Sequence, residues 1–101
     1  MREEYLELYE QIRTLAKDDK QAAIALAEQT SQQAAAADLS TLAAFFAGMT
    51  LRLQGKHSEA VSTFEPCLED DGFPLPGELR FELGLAEQLQ QHHDTAIEYY
   101  Q

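Results

Sequence analysis

The chain lacks tryptophan and asparagine, has one cysteine, and carries few of the residues that favour β-strands. Because Cys67 is the only cysteine, no intramolecular disulfide can form, which agrees with a reducing compartment. One valine and three isoleucines in 101 residues leave little raw material for a β-sheet. These absences favour one small helical domain over residues 1–101.

Basic residues and long apolar runs are also scarce. Seven Lys and Arg stand against eighteen Asp and Glu, so the net charge is -11. Such a chain repels phosphate backbones and anionic lipid surfaces, so we expect neither nucleic acid nor membrane as a partner. No stretch approaches the roughly 20 apolar residues of a membrane helix, and the N-terminus does not resemble a secretory signal. We therefore expect a cytoplasmic location.

The motifs of catalysis and metal binding are missing as well. The sequence has no Gly-rich phosphate loop and no nucleophile with its base at a recognisable spacing. His92 and His93 are adjacent and cannot both point to one side of a helix, while His57 stands alone. We expect no enzyme activity, no metal site and no cofactor, and we interpret Cys67 as a buried packing residue.

Helix-forming residues are abundant, and they follow a helical rhythm. Alanine, leucine, glutamate and glutamine dominate the composition. Tyr5, Leu8, Ile12 and Leu15 recur at spacings of three and four, which places them on one face of a helix. Similar stripes between polar breaks predict an all-α protein of six helices, over about residues 3–17, 22–37, 41–54, 58–69, 76–89 and 94–101.

Local signals mark the ends of these helices. Gly55 stands where a C-terminal glycine is expected, and Pro76 is suited to the first position of the fifth helix. Pro66 lies inside the fourth helix and should kink or shorten its last turn. The candidate N-caps are Asp18 or Asp19 for the second helix, Asp38 or Ser40 for the third, Ser58 for the fourth and Asp94 for the sixth.

Two stretches repeat one spacing of small and aromatic residues. Gly48 precedes Ala60 by twelve positions, and Gly84 precedes Ala96 by twelve. Each alanine is followed four positions later by an aromatic residue. With a period of 36 residues, this pattern resembles the tetratricopeptide repeat family, whose repeat is roughly 34 residues long. The resemblance is good over residues 41–101 and degenerate before, and other helical hairpin repeats are the alternative.

The resemblance implies three tandem antiparallel helix hairpins in an α-solenoid. Gly48 and Gly84 should lie where two helices cross closely, and Phe64 and Tyr100 should fill the gap to the next hairpin. The family's first helices line a concave groove that holds a peptide. Residues carried over to that groove are Leu42, Phe45, Met49, Arg52 and Leu53 on the third helix, and Glu78, Phe81, Leu85, Gln88 and Leu89 on the fifth.

The residues at the groove positions are mostly large and apolar, which favours an apolar partner over one recognised by its carboxylate. They lack the Lys, Arg and Asn set with which some family members grip a carboxylate, since only Arg52 is basic. We expect a scaffold that binds an amphipathic or apolar peptide or helix of another protein. Alternatively, a following helix of the same chain fills the groove, which leaves no open peptide site.

A second function class is a regulatory or dimerisation domain of a larger signalling or assembly protein of bacterial type. The family's second helix runs to roughly 14 residues, whereas only eight positions remain here from Asp94 to Gln101. We therefore expect the repeat array to be truncated at its C-terminal end. The open end should then self-associate, as a homodimer through the C-terminal hairpin.

Overall fold

The computed structural model describes residues 2–90 and 93–100, except for the side chains of residues 93 and 94. Throughout this described part the secondary structure is helical, without strands, which confirms the predicted all-α class. The six helices are α1 Arg2–Asp18, α2 Lys20–Ala36, α3 Ser40–Leu53, α4 His57–Leu68, α5 Pro76–Leu89 and α6 His93–Tyr100.

The helices pack in adjacent pairs that form three hairpins. Helix α1 packs on α2, α3 on α4, and α5 on α6. The hairpins join because α2 also packs along α3, and α4 along α5. One apolar core therefore runs through the hairpins, from Tyr5 on α1 to Leu83 on α5. The predicted hairpin arrangement is confirmed at this level.

Phe45 lies at the centre of that core. Its ring centroid is 5.6 Å from that of Tyr9 on α1, 5.7 Å from Phe64 on α4 and 5.6 Å from Phe73 in the α4–α5 loop. Phe46 meets it edge to face at 5.1 Å. Aromatic rings at these distances favour tilted and edge-on pairs, so one side chain links the first hairpin, the second hairpin and the α4–α5 loop.

Two helices end in the same hydrogen-bonded motif, but with different residues in the left-handed position. After α3, the N–H of Gly55 donates to the Arg52 carbonyl, and Gly55 has φ +83°. After α2, the N–H of Asp38 donates to the Ala35 carbonyl, and Asp38 has φ +60°. Gly55 is thus the expected C-terminal glycine. Asp38 does not cap α3, because it terminates α2.

Among the other predicted helix ends, some are confirmed and one is wrong. The Asp19 carboxylate accepts from the backbone N–H of Ala22 and caps α2, and Pro76 begins α5 as predicted. Ser58 lies inside α4 and donates to the Gln90 side chain instead of capping. The proposed cap Asp94 lies outside the described side chains. In the described part, no helix is long and apolar enough to cross a bilayer.

Candidate partner-binding surface

The α3 half of the predicted groove is closed by the chain itself. Leu42, Phe45 and Met49 are buried, and Leu53 is 4% exposed. Tyr9 of α1 packs against Phe45, with ring centroids 5.6 Å apart. This corrects the expectation that these four side chains line an open groove. They are core residues within the same chain, but the helix that meets Phe45 here is the preceding helix α1 and not a following one.

Helix α1 reaches past α3 to α5. The Tyr9 hydroxyl donates to Oε2 of Glu82 at 3.0 Å, and the Arg13 guanidinium lies 4.5 Å above the Phe81 ring. Arg52 of α3, the basic residue of the predicted groove, donates through Nε to Oε1 of Glu82. The first helices of all three hairpins are therefore linked through the Glu82 carboxylate.

The Glu82 carboxylate is stabilised by both partners. Its side chain is fully buried, and a buried carboxylate is costly unless it is paired and hydrogen-bonded. Arg52 supplies the charge, and Tyr9 supplies a neutral donor. Burial, and after it the negative charge of Glu82, raises the pKa of the Tyr9 hydroxyl far above its usual range. Tyr9 therefore stays protonated and keeps donating.

The α5 half of the predicted groove remains accessible. Phe81 and Leu85 are half-buried, Gln88 is exposed, and Leu89 is 51% exposed. Residues 81, 85, 88 and 89 share one face of α5, as their spacing requires. These four predicted groove residues therefore remain at the surface of the C-terminal hairpin.

Helix α6 extends this surface with two residues that were not in the predicted groove. Ile97 is 54% exposed and Tyr100 is 44% exposed. The Tyr100 ring lies 6.1 Å from the Phe81 ring, and its hydroxyl donates to the Gln88 side chain at 2.9 Å. The apolar surface of α5 thus continues onto α6 where Phe81 and Tyr100 meet. We call it the open face, formed by Phe81, Leu85, Leu89, Ile97 and Tyr100.

The 36-residue repeat explains why the open face is apolar. Each of its members has an apolar counterpart 36 positions earlier, in the hairpin that α5 covers. Phe45, Met49, Leu53 and Phe64 are buried there, and Val61 is half-buried. The exposed residues therefore repeat a helix-packing surface. The repeat period was a signal in the sequence that could have added Ile97 and Tyr100 to the site.

The two repeat glycines allow both hairpins to close. A β-carbon on Gly48 would come within 2.5 Å of the Phe64 ring, and one on Gly84 would overlap the Tyr100 ring. The aromatic side chain therefore lies directly on the glycine in each case. This confirms the close crossing expected at both positions. It also places the Tyr100 ring against α5, beside Phe81.

The described residues offer little for catalysis or metal binding. No group of three His, Cys, Asp or Glu side chains in the described part could hold an ion. The predicted weak candidate His92–His93 lies outside the described residues and side chains. Burial, with Arg52 and Lys20 nearby, lowers the pKa of His57. Cys67 is buried as expected, and burial followed by the charge of Asp70 raises the pKa of its thiol to about 11.

Comparisons with the known protein families, with curated proteins and with solved structures found no match to this chain.

Proposed function

We propose that this chain is a tetratricopeptide-like interaction module that binds an amphipathic or apolar helix of another protein. The observation that carries the proposal is the exposure of a helix-packing surface. Leu89 is 51% exposed, whereas its repeat counterpart Leu53 is 4% exposed beneath packed helices. A surface that already accepts a helix in one repeat is suited to accept another in the next.

The proposed site differs from the concave groove of the resemblance. Tyr9 and Arg13 of α1 fill the concave side as far as Phe81 and Glu82. The open face begins at Phe81, whose ring Arg13 partly covers, and continues on α5 and α6. Contiguous exposed apolar side chains commonly mark an interaction site in a soluble protein. This supports a partner that packs on the exposed side of α5 and α6 rather than a peptide bound along the concave side.

The proposal can be tested with a peptide copy of α5, residues 73–90 with Glu82→Gln. This helix packs along α4, where Val61 and Phe64 are the repeat counterparts of Ile97 and Tyr100, so it should bind the open face in trans. Calorimetric titration should detect binding to the wild-type chain and loss of binding in Leu89→Gln/Ile97→Gln. Leu68→Gln is the matched control, because Leu68 is 44% exposed on another hairpin. No binding to the wild-type chain would refute the proposal.

A dimerisation domain is the second proposal, because the same face could bind a second copy. Light scattering over a range of concentrations separates the two. A dimer that Leu89→Gln/Ile97→Gln dissociates would favour self-association over a separate partner. The absence of enzyme activity and the cytoplasmic location predicted from the sequence stay predictions.

A further inference from the structure

We infer that the partner helix for the open face is basic, with a stripe of leucine and alanine toward the protein. The inference rests on the proposed function and adds the chemistry of the occupant. It is drawn from how α5 covers the preceding hairpin, and from the charges that border the open face.

Helix α5 shows what shape an occupant needs. The side chains that it buries toward its neighbours include Leu79, Leu83 and Ala86, at spacings of four and three. Two leucines give apolar area, and the alanine lets the helices approach closely. Helix α5 packs mainly along α4, and Ile97 and Tyr100 of the open face repeat Val61 and Phe64 of α4, so an occupant with the same stripe fits there.

The charge of the occupant should differ from that of α5. Helix α5 carries Glu82 on its inner side because Arg52 pairs with it. Thirty-six positions after Arg52 stands Gln88, whose amide oxygen accepts from Tyr100. A carboxylate brought there would find no cation at that position. A helix identical to α5, as a second copy would supply, is therefore a poor occupant.

Two carboxylates border the open face, together with the Arg13 guanidinium, which lies 4.5 Å above the Phe81 ring. Glu78 lies three positions before Phe81 on the same face of α5, and Glu98 follows Ile97 on α6 and is exposed. The whole chain carries a net charge of -11. Two copies would bring like charges together, whereas a basic helix would meet opposite charge at the border. This favours a heterologous basic partner over a homodimer.

Two synthetic helical peptides of about 20 residues test the inference. Both carry the same Leu, Leu, Ala stripe, and the remaining positions are mainly Lys in one and mainly Glu in the other. Fluorescence anisotropy at low salt should show about tenfold tighter binding of the Lys peptide. The difference should shrink at about 0.3 M salt because surface charges are then screened.

Variants locate the effect. Glu78→Lys/Glu98→Lys should weaken binding of the Lys peptide about fivefold. Glu4→Lys/Glu7→Lys changes the net charge equally on exposed α1 positions and should weaken it less. Leu89→Gln/Ile97→Gln should abolish binding, and Leu68→Gln should not.

The outcomes distinguish the inference from the function on which it rests. Equal affinity for both peptides would overturn the basic partner and leave the helix-binding module intact. Equal effects of the two charge-reversal pairs would overturn the role of Glu78 and Glu98. Failure of both peptides to bind, or a stable dimer that excludes them, would overturn the inference together with the heterologous function.

Discussion

The Phe64 ring lies directly against the Cα of Gly48, in the space that a β-carbon would need. Tyr100 lies against Gly84 in the same way, and each aromatic residue follows its glycine by sixteen positions. The two contacts differ in their surroundings. Phe64 is fully buried, whereas Tyr100 is 44% exposed. The same substitution should therefore have different consequences at the two glycines.

Gly48→Ala should destabilise the fold by about 1–3 kcal/mol, because the buried Phe64 ring cannot move aside for the new methyl group. Urea unfolding followed by circular dichroism measures the free energy of unfolding. Gly84→Ala should cost less than about 1 kcal/mol, since the Tyr100 ring can swing toward solvent and alanine improves helix propensity. Gly77→Ala is the control, because a β-carbon there meets nothing within 4 Å. Equal losses at Gly48 and Gly84 would contradict this account.

Asp38→Gly should stabilise the chain by about 0.5–1 kcal/mol. Asp38 adopts φ +60° at the end of α2, a conformation that is costly for residues with a β-carbon. Gly55 occupies the same place after α3 without that cost, so Gly55→Ala should destabilise by about 1 kcal/mol. Thermal melts of both variants check the pair. Asp38→Ala controls for the lost charge and should bring no gain.

The helices and the repeat contacts were predictable because their signals are local. Spacings of three and four mark each helix, and Gly48 and Phe64 lie within one hairpin. A repeat of small and aromatic residues therefore carries enough information to place them. The C-terminal signal at Gly55 was equally local. Asp38 was misassigned as a cap because aspartate is common at N-caps and uncommon in the left-handed position.

The closure of the groove was not predictable, because it depends on contacts between distant segments. Tyr9 and Glu82 are separated by 73 positions, and Arg52 and Glu82 by 30. The first hairpin follows the repeat pattern loosely, so nothing in its sequence indicated that α1 would reach α5. Leu53 is buried because other helices of the structure pack over it, whereas Leu89 is exposed. The two positions look alike in sequence, so this difference could not be predicted.

Arg52→Met should destabilise the fold by roughly 3 kcal/mol, because it leaves the fully buried Glu82 carboxylate without its cation. The double variant Arg52→Met/Glu82→Met should recover much of this loss, since an apolar pair needs no charge compensation. Position 82 tolerates such a change in principle, as its repeat counterpart is Phe46. Urea unfolding of both variants and of Glu82→Met gives the free energies of unfolding that complete a double-mutant cycle with the wild-type chain. A double variant no more stable than Arg52→Met would sink this account.

Raising the pH should weaken the fold through Cys67. Burial, and next the charge of Asp70, raises the pKa of its thiol from 9.0 to about 11 in the folded chain. The unfolded chain therefore loses this proton first as the pH rises. The resulting stability is fully present below pH 9 and is lost as the pH rises through about 11. The loss should amount to roughly 2–3 kcal/mol.

Urea unfolding at several pH values separates this contribution from that of Tyr9, whose pKa is also raised by burial and by Glu82. Cys67→Ala should be less stable than the wild-type chain at pH 7, because a buried side chain is lost. Its stability should nevertheless fall less steeply between pH 9 and 10. Tyr9→Phe should reduce the slope less than Cys67→Ala does in that window and have its main effect above pH 10, where an unfolded tyrosine is more than half ionised. If Cys67→Ala follows the wild-type slope throughout, ionisation of the thiol does not cause the loss of stability at alkaline pH. Burial would then not raise the pKa of Cys67 in the folded chain.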